Sequence, residues 1–256
     1  MKLNKFLMLF MVLALATVLA ACAGSDNADD SDSNSSDNSG ETTEGGTKEL
    51  NLLVASEPPS LHPGLATDTT SSAILQATFE GLMRMEDGKP VEAIAESYEI
   101  SDDAMTYTFK LRDAQWSNGD PVTSEDFKYS WLWTLNAENI SEYASILYPI
   151  KGAQAYHSGQ GSAEEVGIST PDEKTLVVTL EAPTAYFLEL VAFKTMYPFH
   201  PATQEANPEW YAEADTIVSN GPFTLTEWVH SGSMVLEKSD SYWDAESVKI
   251  DKGTLQ

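Results

Sequence analysis

The side chains that could carry acid–base or metal chemistry are plentiful in this chain, but their spacing forms no known catalytic or metal-binding site. The sequence contains 40 Asp and Glu residues, four His and one Cys. The acidic pairs Asp102–Asp103 and Glu164–Glu165 lie in turn-like segments, where solvated carboxylates are expected and a buried acid and base are not. The histidines lack metal-ligand spacing, so no metal site is predicted. They are His62, His157, His200 and His230.

Sequence motifs of the common enzyme classes are also absent. The chain has no G-x-S-x-G, H-E-x-x-H, Walker A or G-x-G-x-x-G motif. We therefore predict a binding protein that is not an enzyme and uses no cofactor. A net charge of −26 and only two arginines, Arg84 and Arg112, leave no basic face for phosphate groups. Nucleic acid is therefore excluded as a partner.

The first residues predict export and a lipid anchor. Lys2 and Lys5 precede residues 6–21, a run of sixteen apolar and small side chains. This run is shorter than the about 20 residues of a membrane-spanning helix and is typical of a signal peptide, here residues 1–21. Residues 19–22 read Leu-Ala-Ala-Cys, which resembles a bacterial lipobox, and Cys22 is the only cysteine. We expect Cys22 to be lipidated and to anchor the chain to the cell membrane, outside the cytoplasm.

A body of mixed α and β structure is predicted to follow a polar tether. Residues 22–48 are rich in Ser, Asp, Asn, Gly and Glu, and we expect this lipidated segment to be disordered. Hydrophobic periodicity and turn residues then predict alternating strands and helices. The predicted strands span residues 50–55 (buried), 105–111, 174–181, 223–228 and 234–238. The predicted helices span residues 69–82 and 184–193, and a third begins after residue 123.

This third helix has the clearest start signal. Thr123 is predicted to cap it, with Asp126 reaching back and with Val122 and Phe127 forming a hydrophobic staple. The tryptophans nearby and elsewhere are expected to pack in the core or at its rim, and not to form a platform for sugars. This expectation is made for five of the six tryptophans, Trp116, Trp131, Trp133, Trp228 and Trp243.

Blocks of sequence along the body resemble family 5 of the extracellular solute-binding proteins, which includes the oligopeptide- and dipeptide-binding proteins. Residues 57–63 (EPPSLHP) are similar to the family's E-P-x-S-L-D-P opening, with His62 in place of the usual acidic residue. Residues 116–127 (WSNGDPVTSEDF) form the longest and most specific block. The other blocks are residues 79–82 (FEGL), 95–98 (AESY), 107–112 (YTFKLR), 219–223 (SNGPF) and 236–243 (LEKSDSYW).

The resemblance implies a mixed α/β fold like that of the type II periplasmic binding proteins. It implies that residues 49–79 and 203–256 form an incomplete lobe I and that residues 80–202 form an inserted subdomain. Because family members are longer, the second lobe is expected to be absent from this chain.

The resemblance also implies where a ligand binds. In this family a peptide lies extended between two lobes and pairs with the protein like an added strand. Residues 67–69 are then expected on a loop that faces this cleft, and Tyr143 corresponds to a family tyrosine that touches the peptide. Residues 220–221 are expected near the crossing between lobes, with the glycine in an unusual backbone conformation. The candidate ligand contacts are Thr67, Asp68, Thr69, Tyr143, Asn220 and Gly221.

The function implied by the resemblance is capture of oligopeptides for an ABC importer, with the permease subunits and their ATPases as partners. Two alternatives stay open. The same fold could bind nickel, haem, an opine or an oligosaccharide, or the chain could be a lipoprotein that senses peptides or acts as a chaperone.

Overall fold

The computed structural model describes residues 47–54 and 56–256. The predicted signal peptide, Cys22 and the tether up to residue 46 lie outside the described residues. Within them, strands and helices alternate, which confirms the mixed α/β class. The strands are β1 (Glu49–Leu52), β2 (Met83–Glu86), β3 (Lys89–Glu92), β4 (Ala95–Ile100), β5 (Thr106–Leu111), β6 (Ile168–Asp172), β7 (Thr175–Thr179), β8 (Phe223–Trp228), β9 (Met234–Lys238) and β10 (Lys252–Leu255). The α-helices are α1 (Thr69–Thr78), α2 (Ser124–Leu135), α3 (Ala153–His157), α4 (Phe187–Val191) and α5 (Pro201–Ala206).

One four-stranded sheet brings together strands that are far apart in the sequence. Its order is β1-β10-β9-β8, with β1 and β10 parallel and the other pairs antiparallel. The predicted hairpin is confirmed as β8 and β9, in which Leu225 lies opposite Leu236 and Trp228 lies opposite Met234. Leu225, Met234 and Leu236 are buried, so this hairpin contributes to the core.

Strand β1 differs from the buried strand predicted over residues 50–55. It ends at Leu52, and all its residues are exposed, Leu50 to 44% and Leu52 to 49%. The reason is that β1 pairs with β10 alone and forms an edge of the sheet. The prediction of burial was wrong because a short apolar run does not distinguish an edge strand from a central one.

A second four-stranded sheet is built from the middle of the chain. Its order is β4-β5-β7-β6, and every pair is antiparallel. Alternation is clear in β5, where Tyr107, Phe109 and Leu111 are buried and Lys110 is exposed. Helix α2 packs against β6 and β7. The described residues form one compact unit, and the division into a lobe I and an inserted subdomain stays a prediction.

Helix α2 begins where the sequence predicts. The backbone N–H of Thr123 donates to Asp126 Oδ2 at 2.9 Å, and Trp116 Nε1 donates to the same oxygen at 3.0 Å. Val122 and Phe127, the two staple residues, are fully buried. The packing role predicted for the tryptophans is confirmed: two are fully buried and three are partly buried against the core. The two are Trp116 and Trp131, and the three are Trp133, Trp228 and Trp243.

Two helices are shorter than predicted. Helix α1 ends at Thr78, and Phe79 is already extended, with φ −125° and ψ 159°. Glu80 then uses both backbone polar groups to bond the side chain of Asn220, so helical hydrogen bonding does not continue. Helix α4 covers only part of the predicted residues 184–193, and residues 194–196 form a separate 3₁₀ turn.

Over residues 47–54 and 56–256, no helix combines the length and apolar character required to span a membrane.

Candidate ligand-binding site

The predicted contact residues 67–69 lie on the loop that leads into α1. We call residues 66–69 the contact loop. Thr67 and Thr69 are exposed and Asp68 is partly exposed. Asp68 is the N-cap of α1, and its carboxylate accepts a hydrogen bond from the Ser71 backbone N–H at 2.8 Å. A short polar side chain at this position satisfies one of the free N–H groups of the first turn.

The capping hydrogen bond also favours the ionised form of the Asp68 side chain. Burial alone would raise the pKa of this carboxyl, but the hydrogen bond from Ser71 and the neighbouring backbone N–H groups lower it below its usual range. Asp68 is therefore ionised, and its carboxylate is already used within the protein. A carboxylate that is already bonded in this way is a weaker acceptor for the ammonium group of a ligand.

Tyr143 contacts the contact loop. Its hydroxyl donates to the Thr67 carbonyl oxygen at 3.2 Å, across 76 positions in the sequence. Its ring is partly buried and lies 6.0 Å from the ring of Phe193, measured between centroids. The structure thus brings together four of the six candidate residues, with Phe193 beside them.

Lys194 is a member of this site that the sequence did not reveal. Its side chain is buried, and its Nζ donates to the Ala66 carbonyl oxygen. The Nζ lies 4.9 Å from the centroid of the Tyr143 ring and 5.0 Å from that of Phe193, within the range of cation–π attraction. Burial lowers the pKa of Lys194, while the charge of Asp68 opposes this change. The only sequence signal was a lysine in an apolar segment, which usually indicates an exposed residue.

In the contact loop, backbone carbonyl oxygens are used in hydrogen bonds within the protein, whereas some backbone N–H groups are not. Three successive carbonyl oxygens each accept a bond, Ala66 from Lys194, Thr67 from Tyr143, and Asp68 from the Ser72 hydroxyl at 2.6 Å. Among the described residues, no acceptor bonds the backbone N–H of Thr67 or of Thr69. Unbonded backbone N–H groups on exposed residues, here one before α1 and one at its first position, are suited to bind carbonyl oxygens of another chain.

Asn220 and Gly221 lie at the other end of α1. The ten residues of the helix separate the two ends by about 15 Å. Asn220 is buried, and its side-chain amide bonds the N–H and the carbonyl oxygen of Glu80, each at 3.0 Å. The structure does not bring this pair to the contact loop.

Position 221 has no space for a side chain, so glycine is required there. A Cβ there would lie 2.5 Å from the Thr78 carbonyl carbon and 2.6 Å from the Phe79 nitrogen. The residue does not have the positive φ that an unusual conformation would show, so that expectation was wrong. The Gly221 N–H donates to the Thr78 carbonyl oxygen at 2.8 Å, which helps to end α1.

After the end of α1, Glu80 is the centre of a buried group of hydrogen-bonded side chains, which we call the buried hub. The Glu80 carboxylate accepts hydrogen bonds from Arg84 Nη1 at 3.2 Å, from the Tyr242 hydroxyl at 2.8 Å and from the Trp243 indole. The guanidinium of Arg112 stacks 3.6 Å from the centroid of the Trp243 ring. A cavity of about 470 Å³ lies beside this hub and is lined in part by Phe193 and Lys194. It thus borders the contact site, the name we give to the contact loop together with Tyr143, Phe193 and Lys194.

A second polar cluster ties the β8–β9 turn to the segment after β1. The Glu57 carboxylate accepts from His230 Nδ1 at 2.6 Å, from Trp228 Nε1 at 3.1 Å and from the Ser231 N–H at 3.0 Å. The hydrogen bond to Glu57, with Glu213 on the other ring nitrogen, raises the pKa of His230. The cluster is exposed and lies outside the contact loop.

In the part of the chain that the structure describes, no group of three or more His, Cys, Asp or Glu side chains is placed to hold a metal ion. The contact loop itself offers backbone donors, and the Tyr143 hydroxyl and the buried Lys194 ammonium bond its carbonyl oxygens.

Comparison with known protein families gives one matching family model. Residues 89–256 match the model described as "Bacterial extracellular solute-binding proteins, family 5 Middle". This range contains Tyr143, Lys194, Asn220 and Gly221.

Curated relatives are similar over most of the chain. The oligopeptide-binding protein OppA of Bacillus subtilis is 46% identical over 245 residues, which are 94% of this chain and 44% of the relative. The dipeptide-binding protein DppE of the same organism is 44% identical over 209 residues, or 81% of this chain and 38% of the relative. The chain thus spans less than half the length of these relatives.

Solved structures show the same likeness. The substrate-binding domain of an oligopeptide ABC transporter from Bacillus anthracis superposes with a TM-score of 0.80 and 42% identity, covering 82% of this chain and 41% of that one. OppA of Listeria monocytogenes bound to peptide gives a TM-score of 0.80 and 36% identity, with coverage of 82% and 42%.

Proposed function

The chain belongs to the bacterial extracellular solute-binding proteins of family 5, and from this membership we propose that it captures oligopeptides for an ABC-type peptide importer. Its partners are then oligopeptides and the permease subunits with their ATPases. The fold is of the type II periplasmic-binding-protein kind. Members of this family bind solutes, and on that ground we propose that the chain is not an enzyme.

The arrangement of the contact loop is the observation that carries the peptide proposal. A peptide backbone presents a carbonyl oxygen at every residue whatever its side chains are, and the free N–H groups of Thr67 and Thr69 can bond such oxygens. Main-chain pairing of this type gives affinity without reading side chains. Thr67, Asp68, Thr69 and Tyr143 are the proposed contacts. The contribution of Asn220 and Gly221 is to fix the far end of α1.

Binding by this chain alone is expected to be weak. In the family a ligand lies between two lobes, and the chain covers less than half of the solved relatives. Each hydrogen bond exposed to water contributes only about 0.5–1.5 kcal/mol, against several kcal/mol for immobilising a flexible peptide. We expect dissociation constants weaker than about 0.1 mM.

Titration of the 15N-labelled chain with tri- to pentapeptides of varied sequence tests the proposal by NMR. The expected result is a shift of the amide signals of residues 66–69 with every peptide at millimolar concentration. Nickel, haem, opines and oligosaccharides are the matched alternative solutes. If one of these shifts the same amides while all peptides leave them unchanged, the proposed function is wrong.

We propose further that the mature chain is attached to the outer side of the cell membrane through Cys22. The lipobox-like residues 19–22 and the polar segment after them support this. Mass spectrometry of membrane-extracted protein should find a diacylglyceryl group on an N-terminal Cys22. A Cys22→Ala variant should leave the membrane fraction. Recovery of a soluble wild-type protein with a free thiol would contradict the anchor.

A further inference from the structure

Lys194 is the least expected residue at the contact site. It is only 2% exposed, although lysine is almost never fully buried unless it is paired. Its partner is a backbone carbonyl oxygen, that of Ala66, and not a carboxylate. The charge of Asp68, in the contact loop, also acts on Lys194. The resemblance to family 5 did not point to this position.

The Lys194 side chain and Ala66, whose carbonyl oxygen it bonds, are both buried, so their contact lies on the interior side of the contact loop. The ammonium holds the carbonyl of Ala66 inward, one residue before Thr67, whose carbonyl is held by the Tyr143 hydroxyl. The same ammonium lies against the rings of Tyr143 and Phe193. One buried charge thus contacts the loop and both aromatic neighbours.

From these contacts we propose that Lys194 is a positioning residue for ligand binding. It fixes the orientation of the peptide unit between Ala66 and Thr67, and thereby turns the Thr67 N–H outward. An N–H and the carbonyl of the preceding residue belong to one planar unit and point in opposite directions. A bond that holds the Ala66 carbonyl inward therefore holds the Thr67 N–H outward. This inference rests on the proposed function, since it assigns Lys194 a role in presenting that donor to a peptide.

Loss of the ammonium should weaken peptide binding without unfolding the chain. Methionine has a similar length and no charge, so Lys194→Met removes the bond and retains much of the packing. The expected effect is a roughly fivefold weaker dissociation constant, the equivalent of one net hydrogen bond. The control is Lys174→Met. Lys174 also donates to backbone carbonyls, those of Arg112 and Val122, but it lies outside the contact site.

The experiment is the NMR peptide titration of the whole chain, run beside thermal unfolding of each variant. We expect Lys194→Met to weaken binding, Lys174→Met to bind as the wild type does, and Lys194→Cys to recover affinity after aminoethylation, which restores an ammonium at this position. If Lys194→Met weakened binding only by lowering the stability of the chain, restoring an ammonium at position 194 would not restore the affinity. Equal affinity of folded Lys194→Met and wild type would overturn the proposal.

A second readout does not depend on a variant. The Lys194 ammonium signal of the wild type should shift together with the Thr67 amide as peptide is added. A fixed Lys194 signal while Thr67 shifts overturns the positioning role and leaves the proposed function intact. Absence of any shift with peptides overturns both.

Discussion

Replacing His62 with aspartate, the kind of side chain that family 5 proteins usually carry there, is expected to destabilise this chain by about 3–5 kcal/mol at pH 8. His62 is completely buried. Its ring stacks on Trp133 at 4.3 Å and lies 4.5 Å from the ring of Phe199. Its Nδ1 accepts from the Gly64 N–H at 3.0 Å, so the proton is on Nε2, which donates to Gln204 Oε1 at 3.1 Å.

The surroundings of His62 accept a neutral ring and not a charge. Burial lowers the pKa of His62 to about 3, so the imidazole is uncharged under ordinary conditions. An aspartate in the same place would lose the stacking and would bring a carboxylate among aromatic rings. Among the described residues, the two groups that bond the His62 ring are an amide side chain and a backbone N–H, and neither carries a positive charge.

The charge can be separated from the loss of the ring with His62→Asn as the matched control. Burial raises the pKa of the new aspartate, so the folded state holds a proton that the unfolded state releases. The aspartate variant should therefore lose stability relative to asparagine as the pH rises from about 4 towards that raised pKa. Urea unfolding at pH 4.5 and pH 8 measures this. An identical stability of the two variants at pH 8 would show that the pocket tolerates the charge.

The second large effect is expected for Glu80→Ala. This substitution removes a carboxylate that bonds Arg84, Tyr242 and Trp243 at a buried site, where Glu80 is only 4% exposed. Leaving these donors without an acceptor and opening a cavity should reduce the free energy of unfolding by about 3–5 kcal/mol. For a chain of this size, that corresponds to a fall of roughly 10 °C in Tm.

Glu86→Ala is the control for Glu80→Ala. Glu86 bonds the same arginine, Arg84, at 2.7 Å, but its side chain is 53% exposed. A surface ion pair contributes only about 0–1 kcal/mol. Chemical denaturation of both variants should therefore separate them clearly. Comparable losses from the two substitutions would mean that Arg84 pairing, and not the buried hub, provides the stability.

Elements with strong local signals were predictable from the sequence. The start of α2 depends on Thr123, Asp126 and the two apolar residues around them, all of which lie within six positions. The β8–β9 hairpin depends on two apolar strands and a short polar turn. In both cases the determining contacts are local, so a single sequence contains the information.

Elements whose limits depend on distant contacts were not predictable. Helix α1 ends at Thr78 because Asn220, more than a hundred positions away, bonds the backbone of Glu80. Strand β1 is exposed because β10 is its single neighbour. Lys194 was missed for the same reason, since its partner Ala66 is 128 positions away. Periodicity could not have placed Tyr143 beside Thr67, because 76 positions separate them. Their roles as ligand contacts stay predictions from the resemblance.

The NMR peptide titration tests most directly the claim that the contact loop is where a peptide binds. With a peptide of mixed sequence at millimolar concentration, the account predicts that the largest amide shifts fall at residues 66–69, 143 and 193–194. Residues of the Glu57–His230 cluster, which lies outside this site, should shift little. Shifts centred on that cluster, or none at millimolar peptide, would contradict the assignment.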